Sequence, residues 1–304
     1  MLSRILRTLV LWTCALPALN AQGFGQENRP IGQSAPQVLL RCDDVGMCHT
    51  VNMAATQAAN AGLPLSFSVM FACPWYQEAV EILKEHPEIS VGVHLTLNAE
   101  WKHYRWGPVS GAQSVPSLVD SNGFFFPSRD LFFSHNPRTA EVERELRAQI
   151  DRALRSGLRI DYVDYHMGTA VSTPELRLLV ETLAHEYNLG ISRYFGEVDA
   201  GRWYAAPPDA KLDSLVAATQ RLTSDTTWLM VFHIGLDTQE MQALVDLNSF
   251  GLPNMSKHRN AELNALTSET FLRVSNEQGL HCITYRDLIG ARGLQSMKRP
   301  DIEY

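Results

Sequence analysis

Short apolar runs alternate with helix-patterned segments along most of this chain, and polar, chemistry-bearing residues stand where the apolar runs stop. That alternation constrains the fold more than any other feature, because strands separated by helices pair in parallel within one sheet. The runs that read as strands are 38–40, 66–70, 91–97, 160–164, 190–193, 227–232 and 281–284. Helical spacing of apolar residues predicts helices over 51–61, 75–86, 139–156, 212–222, 260–266 and 268–278, with a last one opening at Arg286. One more helix runs to about Tyr187 from Ser172-Thr173-Pro174-Glu175, where Ser172 and Glu175 are spaced as a capping box. In the helix over 139–156, acidic residues come early (Glu141, Glu143, Glu145) and arginines late (Arg152, Arg155), which complements the helix dipole. This many strand–helix units in a single-domain length favour a (β/α) barrel-like single domain with parallel strands over an open sheet.

The chain has 304 residues, a net charge of -7 and 45% hydrophobic residues. No Lys/Arg-rich block follows a phosphate backbone, so no nucleic-acid partner is expected. The N-terminus reads as an export signal over 1–21: Arg4 and Arg7, an apolar stretch over 9–19 interrupted by Pro17, then a cleavage point after Ala21. That stretch is short for a membrane span, so stable membrane insertion is not expected. Cys14 follows Trp12-Thr13, a poor match to a lipoprotein signal. The mature protein is therefore expected in a bacterial periplasm or outside the cell. Residues 22–36 read as a flexible tether and 37–304 as the folded domain. Within it, 98–137 breaks the strand–helix rhythm with Trp101, Tyr104, Trp106 and Phe124-Phe125-Phe126, and reads as a substrate-side insertion pinned to the body by its phenylalanines. Past the signal, Cys42, Cys48, Cys73 and Cys282 fit no cysteine zinc pattern. Cys42 and Cys282 read as buried thiols; Cys48 and Cys73 pair only if both lie on loops at one rim.

Candidate site residues recur at the C-terminal ends of the strands: Asp43 and Asp44, His94, Asp164 and His166, Arg193, His233. In a barrel those ends share one mouth. Adjacent carboxylates repel unless something compensates them, and a divalent cation does so. Asp44, His94 and His166 are assigned as its ligands, a set that leaves positions open for water and substrate. Asp43 beside them is placed to take a proton and His233 across the mouth to give one, which suits hydrolysis of an amide or ester. Asp164 is placed to orient a ligand histidine, and Arg193 either to hold the charge of Asp43 or to form a structural ion pair. His94 inside an apolar strand also fits a core histidine, and Asp43-Asp44 alone also fits a helix-capping turn. Trp101, Trp106, Tyr165, Trp203 and Tyr204 are candidate substrate-side aromatics.

The ordered set of motifs resembles the YdjC-like carbohydrate deacetylases, a family that includes chitooligosaccharide deacetylases, over nearly the whole mature chain. Cys42-Asp43-Asp44-Val45-Gly46 with Val51-Asn52, Gly92-Val93-His94-Leu95-Thr96-Leu97, Ser117-Leu118-Val119-Asp120 with Gly123-Phe124, and Asp164-Tyr165-His166 look like its successive blocks. Arg259, Glu262 and Leu263 fit its late Arg-x-x-Glu-Leu signature and enter the site as supporting residues. Departures from the pattern include Tyr165 for a serine, Gly168 for a second histidine, and Ile234 for the proline of His-Pro-Gly. The resemblance implies a barrel of the glycoside hydrolase and deacetylase type, often dimeric, with Mg2+ or Zn2+ on Asp44, His94 and His166. It implies Asp43 as base, His233 as acid, and removal of acetyl groups from an N-acetylated oligosaccharide or glycan, metal-bound water attacking the acetamide carbonyl. Competing readings are an esterase or amidase acting on a non-sugar acyl compound, and a glycan-binding relative without catalysis.

Overall fold

The computed structural model describes residues 35–201 and 203–301; the expected signal over 1–21 and nearly all of the tether lie outside them. Eight strands form one sheet: β1 Gln37–Val45, β2 Ser66–Val69, β3 Ser90–Leu95, β4 Ile160–Tyr165, β5 Gly190–Ile191, β6 Val198–Asp199, β7 Thr227–Phe232 and β8 His281–Ile283. Every ladder between them is parallel. The order is β5-β4-β3-β2-β1-β7-β6, with β8 also paired to the first residues of β1. Strand–helix alternation thus yields the parallel, barrel-like sheet that the spacing predicts. The ladders do not run from β5 to β6 among the described residues; an ion pair from Arg193 Nη1 to Asp199 Oδ1 (2.7 Å) crosses there.

Alternation along each strand sorts side chains into two cores. Val38, Leu40, Cys42, Met230 and Phe232 face the helices and join the main core. Leu39, Tyr162, Leu229, Ile283 and Tyr285 pack together as a second, smaller core. Arg41 shares the face of Leu39, and a polar layer forms around it with Ser68, Ser192 and Asp164. Ser68 Oγ also meets the Tyr162 hydroxyl at 2.9 Å, and Ser192 Oγ the Tyr285 hydroxyl at 2.6 Å. Gly92 permits this packing, since a Cβ there would lie 2.4 Å from the Tyr162 ring.

Several local expectations change. Thr173, not Ser172, caps the helix Pro174–Glu186, its side chain accepting from Leu176 N, while Glu175 Oε1 accepts from Thr139 Oγ1 instead of closing a capping box. The true capping box belongs to Thr284 and Asp287, at the start of Tyr285–Arg292. Glu141 and Glu145 do more than complement a dipole. Glu145 accepts from Val109 N, Ser110 N and Ser110 Oγ, and Glu141 from Ser117 N and Oγ. These buried carboxylates of Thr139–Arg155 thereby pin the 98–137 segment, which also buries Trp106, Leu118, Phe125, Phe126 and Phe132. All four described cysteines are free and buried.

Candidate metal and catalytic centre

At the end of β1 the pairing with β2 shifts by one residue between Cys42 and Val45, a bulge that contains Asp43 and Asp44. Asp44 takes a left-handed backbone (φ 63), a conformation aspartate tolerates better than most residues. A regular strand would send these two carboxylates to opposite faces. The bulge lets both line one cavity. Gly46 (φ 86) completes the turn, its N–H donating to Asn52 Oδ1 at 2.8 Å.

The two carboxylates have different partners. Asp43 is gripped by Arg41, with Nε donating to Oδ1 (2.6 Å) and Nη2 to Oδ2 (2.8 Å). Arg41 Nη1 donates to Ser192 Oγ (2.5 Å), and its Nε lies 3.2 Å from Asp164 Oδ2. Arg193 takes the second of its two expected places, a structural ion pair, here with Asp199, and leaves the charge of Asp43 to Arg41. Arg41 does that work because residues i and i+2 of a strand share a face, a signal present in the sequence.

Asp44 Oδ2 accepts from Arg259 Nη2 at 2.7 Å. Its Oδ1 is buried and receives no hydrogen bond of normal geometry, although His94 Nε2 stands 3.4 Å away and His166 Nδ1 3.2 Å away. The far nitrogen of each imidazole is held by another carboxylate: His94 Nδ1 by Asp164 Oδ1 (2.8 Å), His166 Nε2 by Glu100 Oε2 (2.9 Å). These contacts fix both rings and turn one nitrogen of each toward Asp44. The three donor atoms lie within 4.8 Å of one another. A carboxylate oxygen without a donor, facing two oriented imidazole nitrogens, fits a divalent cation.

The charges act on one another strongly. Burial pushes the Asp44 carboxyl up, but Arg259 and the two imidazoles outweigh it and hold the group well below the usual carboxylate range. Burial disfavours charge on His166, and Glu100 with Asp44 reverses this, raising it to about 9. His94 is raised the same way against burial, chiefly by Asp164. Asp164 is in turn held below its ordinary value by His94 and Arg41, in opposition to burial.

The cavity, about 240 Å³, is lined by Asp43, Asp44, His94, His166, His233 and Arg259 together with Glu100, Trp101, Tyr165, Met167, Tyr204, Asp246, Phe250 and Met255. His233 follows β7 and lies half-buried, its ring 5.2 Å from that of Tyr204. Its backbone N–H donates to Glu262 Oε2 (2.7 Å), and Glu262 Oε1 accepts from the buried Lys211 Nζ (2.7 Å). Lys211 Nζ also donates to Trp203 O (3.0 Å) and Tyr204 O (2.6 Å). Arg259 and Glu262 stand on one helix, Met255–Leu266, so the late signature residues hold Asp44 on one side and His233 on the other.

Among the aromatics, Tyr165, Trp101 and Tyr204 reach the cavity. Trp101 is buried, with Nε1 directed to Met47 Sδ (3.3 Å) and its ring beside the Arg259 guanidinium (5.9 Å). Trp106 does not line the cavity; its Nε1 donates to Asn98 O (2.8 Å), and its expected place as a substrate contact is corrected to one behind His166 (ring centroids 6.2 Å). Trp203 is buried as well. Of the 98–137 segment only Glu100 and Trp101 line the cavity, so most of that segment is cover. Gly168 lies in a left-handed turn with Met167 (φ 72 and 53) directly after His166. Sequence reasoning missed Glu100, Arg41, Lys211, Asp246 and Phe250.

Fold and site together define a parallel, barrel-like protein with a buried Asp/His centre where the strands end. The chain belongs to the YdjC-like protein family, whose model matches residues 37–277. It is 28% identical to a carbohydrate deacetylase of Brevibacillus brevis, over 83% of this chain and 99% of that one. With a carbohydrate deacetylase of Geobacillus stearothermophilus it shares 30% identity, over 82% and 96%. Its fold is similar to that of an Enterococcus faecalis V583 protein assigned to cellobiose-phosphate cleavage, with a TM-score of 0.67 and 22% identity over 84% of this chain and 99% of that one.

Proposed function

We propose that the protein is a metal-dependent hydrolase that removes the acetyl group from an N-acetylated saccharide, with Mg2+ or Zn2+ held by Asp44, His94 and His166. The observation that carries this reading is Asp44 Oδ1, buried without a donor and faced by two imidazoles whose other nitrogens are already engaged. A divalent cation bound there polarises an acetamide carbonyl and acidifies water. The chain's own residues supply the rest.

Asp43 stays out of the ligand set because Arg41 grips both of its oxygens from one side. The grip fixes the carboxylate's direction, and Asp43 takes the proton of the attacking water on an oxygen facing the cavity. His233 stands on another wall beside Tyr204 and gives a proton to the departing amine nitrogen. Lys211 and Glu262 keep the backbone of His233 in place, and Arg259 keeps Asp44 ionised and oriented. The reading of residues 1–21 as an export signal places the substrate in the envelope or outside the cell.

The test is acetate release from N-acetylglucosamine oligomers by metal-reconstituted protein lacking residues 1–21. Release is expected to require the divalent ion. Asp43→Asn is expected to lower kcat by at least about 100-fold with the metal still bound, whereas His94→Ala loses the metal itself. Tight metal binding without acetate from any sugar would move the assignment to non-sugar acyl compounds. Absence of metal binding would leave a glycan-binding protein.

A further inference from the structure

Phe250 is the most exposed large apolar side chain among the described residues, at 69%, and it lines the cavity described above. Its exposure is built in. The segment that carries it is tied by its backbone to the strand-like stretch around Trp101: Lys102 N donates to Val245 O (2.8 Å), Leu247 N to Glu100 O (2.9 Å), and Trp101 pairs with Asp246 in an antiparallel bridge. Asn248 Nδ2 then reaches Pro127 O (3.0 Å), and Gly251 N closes on Asn248 O (3.1 Å). Gly251 is required for that closure, because a Cβ there would lie 2.3 Å from Asp246 Oδ2. Phe250 is thus held out into solvent by an arm anchored to Glu100, the residue that holds His166.

The wall that carries His233 bears a second exposed aromatic. Tyr204 is 42% exposed, is fixed through its carbonyl by Lys211, and sets its ring edge against His233. The cavity between these walls, about 240 Å³, is smaller than the roughly 300–1,000 Å³ of pockets that enclose drug-sized ligands. With one sugar ring over the centre, a ring joined to it lies toward the open side, where Phe250 and Tyr204 are exposed. A pyranose presents one face of C–H bonds, which packs on an aromatic ring, and hydroxyl edges, which need acceptors. Phe250 supplies the flat apolar surface, and Asp246 on the same arm supplies a carboxylate.

We infer that Phe250 is a platform for the sugar ring adjacent to the one deacetylated. This rests on the saccharide reading of the site. The experiment compares KM for acetate release from N-acetylglucosamine and from its β-1,4-linked disaccharide and trisaccharide, in wild type, Phe250→Ala and Phe250→Trp. Wild type is expected to show a lower KM for the disaccharide than for the monosaccharide. Phe250→Ala is expected to raise the disaccharide KM about 3–10-fold and collapse the ratio towards one, and Phe250→Trp to restore it. A wild-type ratio of one, or a ratio that Phe250→Ala leaves in place, overturns the inference. A dimer that Phe250→Ala splits without changing the ratio overturns it too, in favour of an interface between copies. If wild type releases no acetate from any of the three, the deacetylase reading falls separately. Calorimetric binding of the disaccharide then decides the platform: weaker binding by Phe250→Ala upholds it, and equal binding overturns it.

Discussion

Asp43 and Asp44 are consecutive, yet one faces a guanidinium with both oxygens and the other keeps an oxygen without a donor. The backbone makes that division: the bulge and the positive φ of Asp44 let adjacent side chains share a cavity while meeting different cations. Glu100 extends the same logic. It lies outside every strand and helix and fixes His166 from behind. Glu100→Gln is expected to weaken divalent-ion affinity by about 10–100-fold, as losses of such outer carboxylates do. Isothermal titration with Zn2+ checks this, and unchanged affinity would remove Glu100 from the centre. The pair Asp43-Asp44 was legible in the sequence because acidic residues at a strand end are conspicuous. Glu100 was not, because an irregular stretch has no period to say where a side chain points. Arg41 was legible in principle through the i, i+2 rule, while of the two readings open for Arg193 the structural ion pair is the one that holds.

The helix Met255–Leu266 is the element on which the site turns. Arg259 reaches Asp44, and Glu262 ties His233 to Lys211 at the start of Lys211–Thr219. Lys211 has only 1% of its surface exposed, and all three of its donors are used. Lys211→Met leaves Glu262 ionised and buried without its cation, and is expected to cost about 3–5 kcal/mol of stability. Adding Glu262→Leu removes the stranded charge but leaves His233 N–H without an acceptor. The double variant should therefore cost less than the sum of the single ones. Urea unfolding of all four proteins measures the coupling, and strict additivity would show that the pair does not act as a unit. In the sequence, Lys211 stands just before the helix predicted over 212–222, and nothing there marks a lysine as interior. Only the packing of two helices against each other reveals that it is interior.

At the scale of the whole molecule, the parallel pairing follows from the alternation of strands and helices, which is why the fold class was readable. The order, with β1 paired to β2, β7 and β8, is not fixed by that alternation. The polar layer inside the sheet was not readable either, since Ser68, Tyr162, Ser192 and Tyr285 look like ordinary strand and strand-end residues until the sheet curves and brings them together. That layer joins the second core to the mouth through Ser68, Asp164 and His94. Gly92→Ala places a methyl against the Tyr162 ring and is expected to destabilise the protein by about 1–3 kcal/mol. Because Tyr162 also meets Ser68, divalent-ion affinity should fall with stability. Thermal unfolding beside metal titration tests this, and a stability loss with intact affinity would mean that the inner core and the mouth respond independently. The helix bearing Arg259 and Glu262 carries a consequence for anyone redesigning the centre. The carboxylate that would hold the cation and the imidazole that would deliver the proton hang from the same rod. Rotating that rod to retune one pole displaces the other, so new specificities are better sought by exchanging the exposed Phe250 side chain alone, leaving in place the backbone ties that join its arm to Glu100.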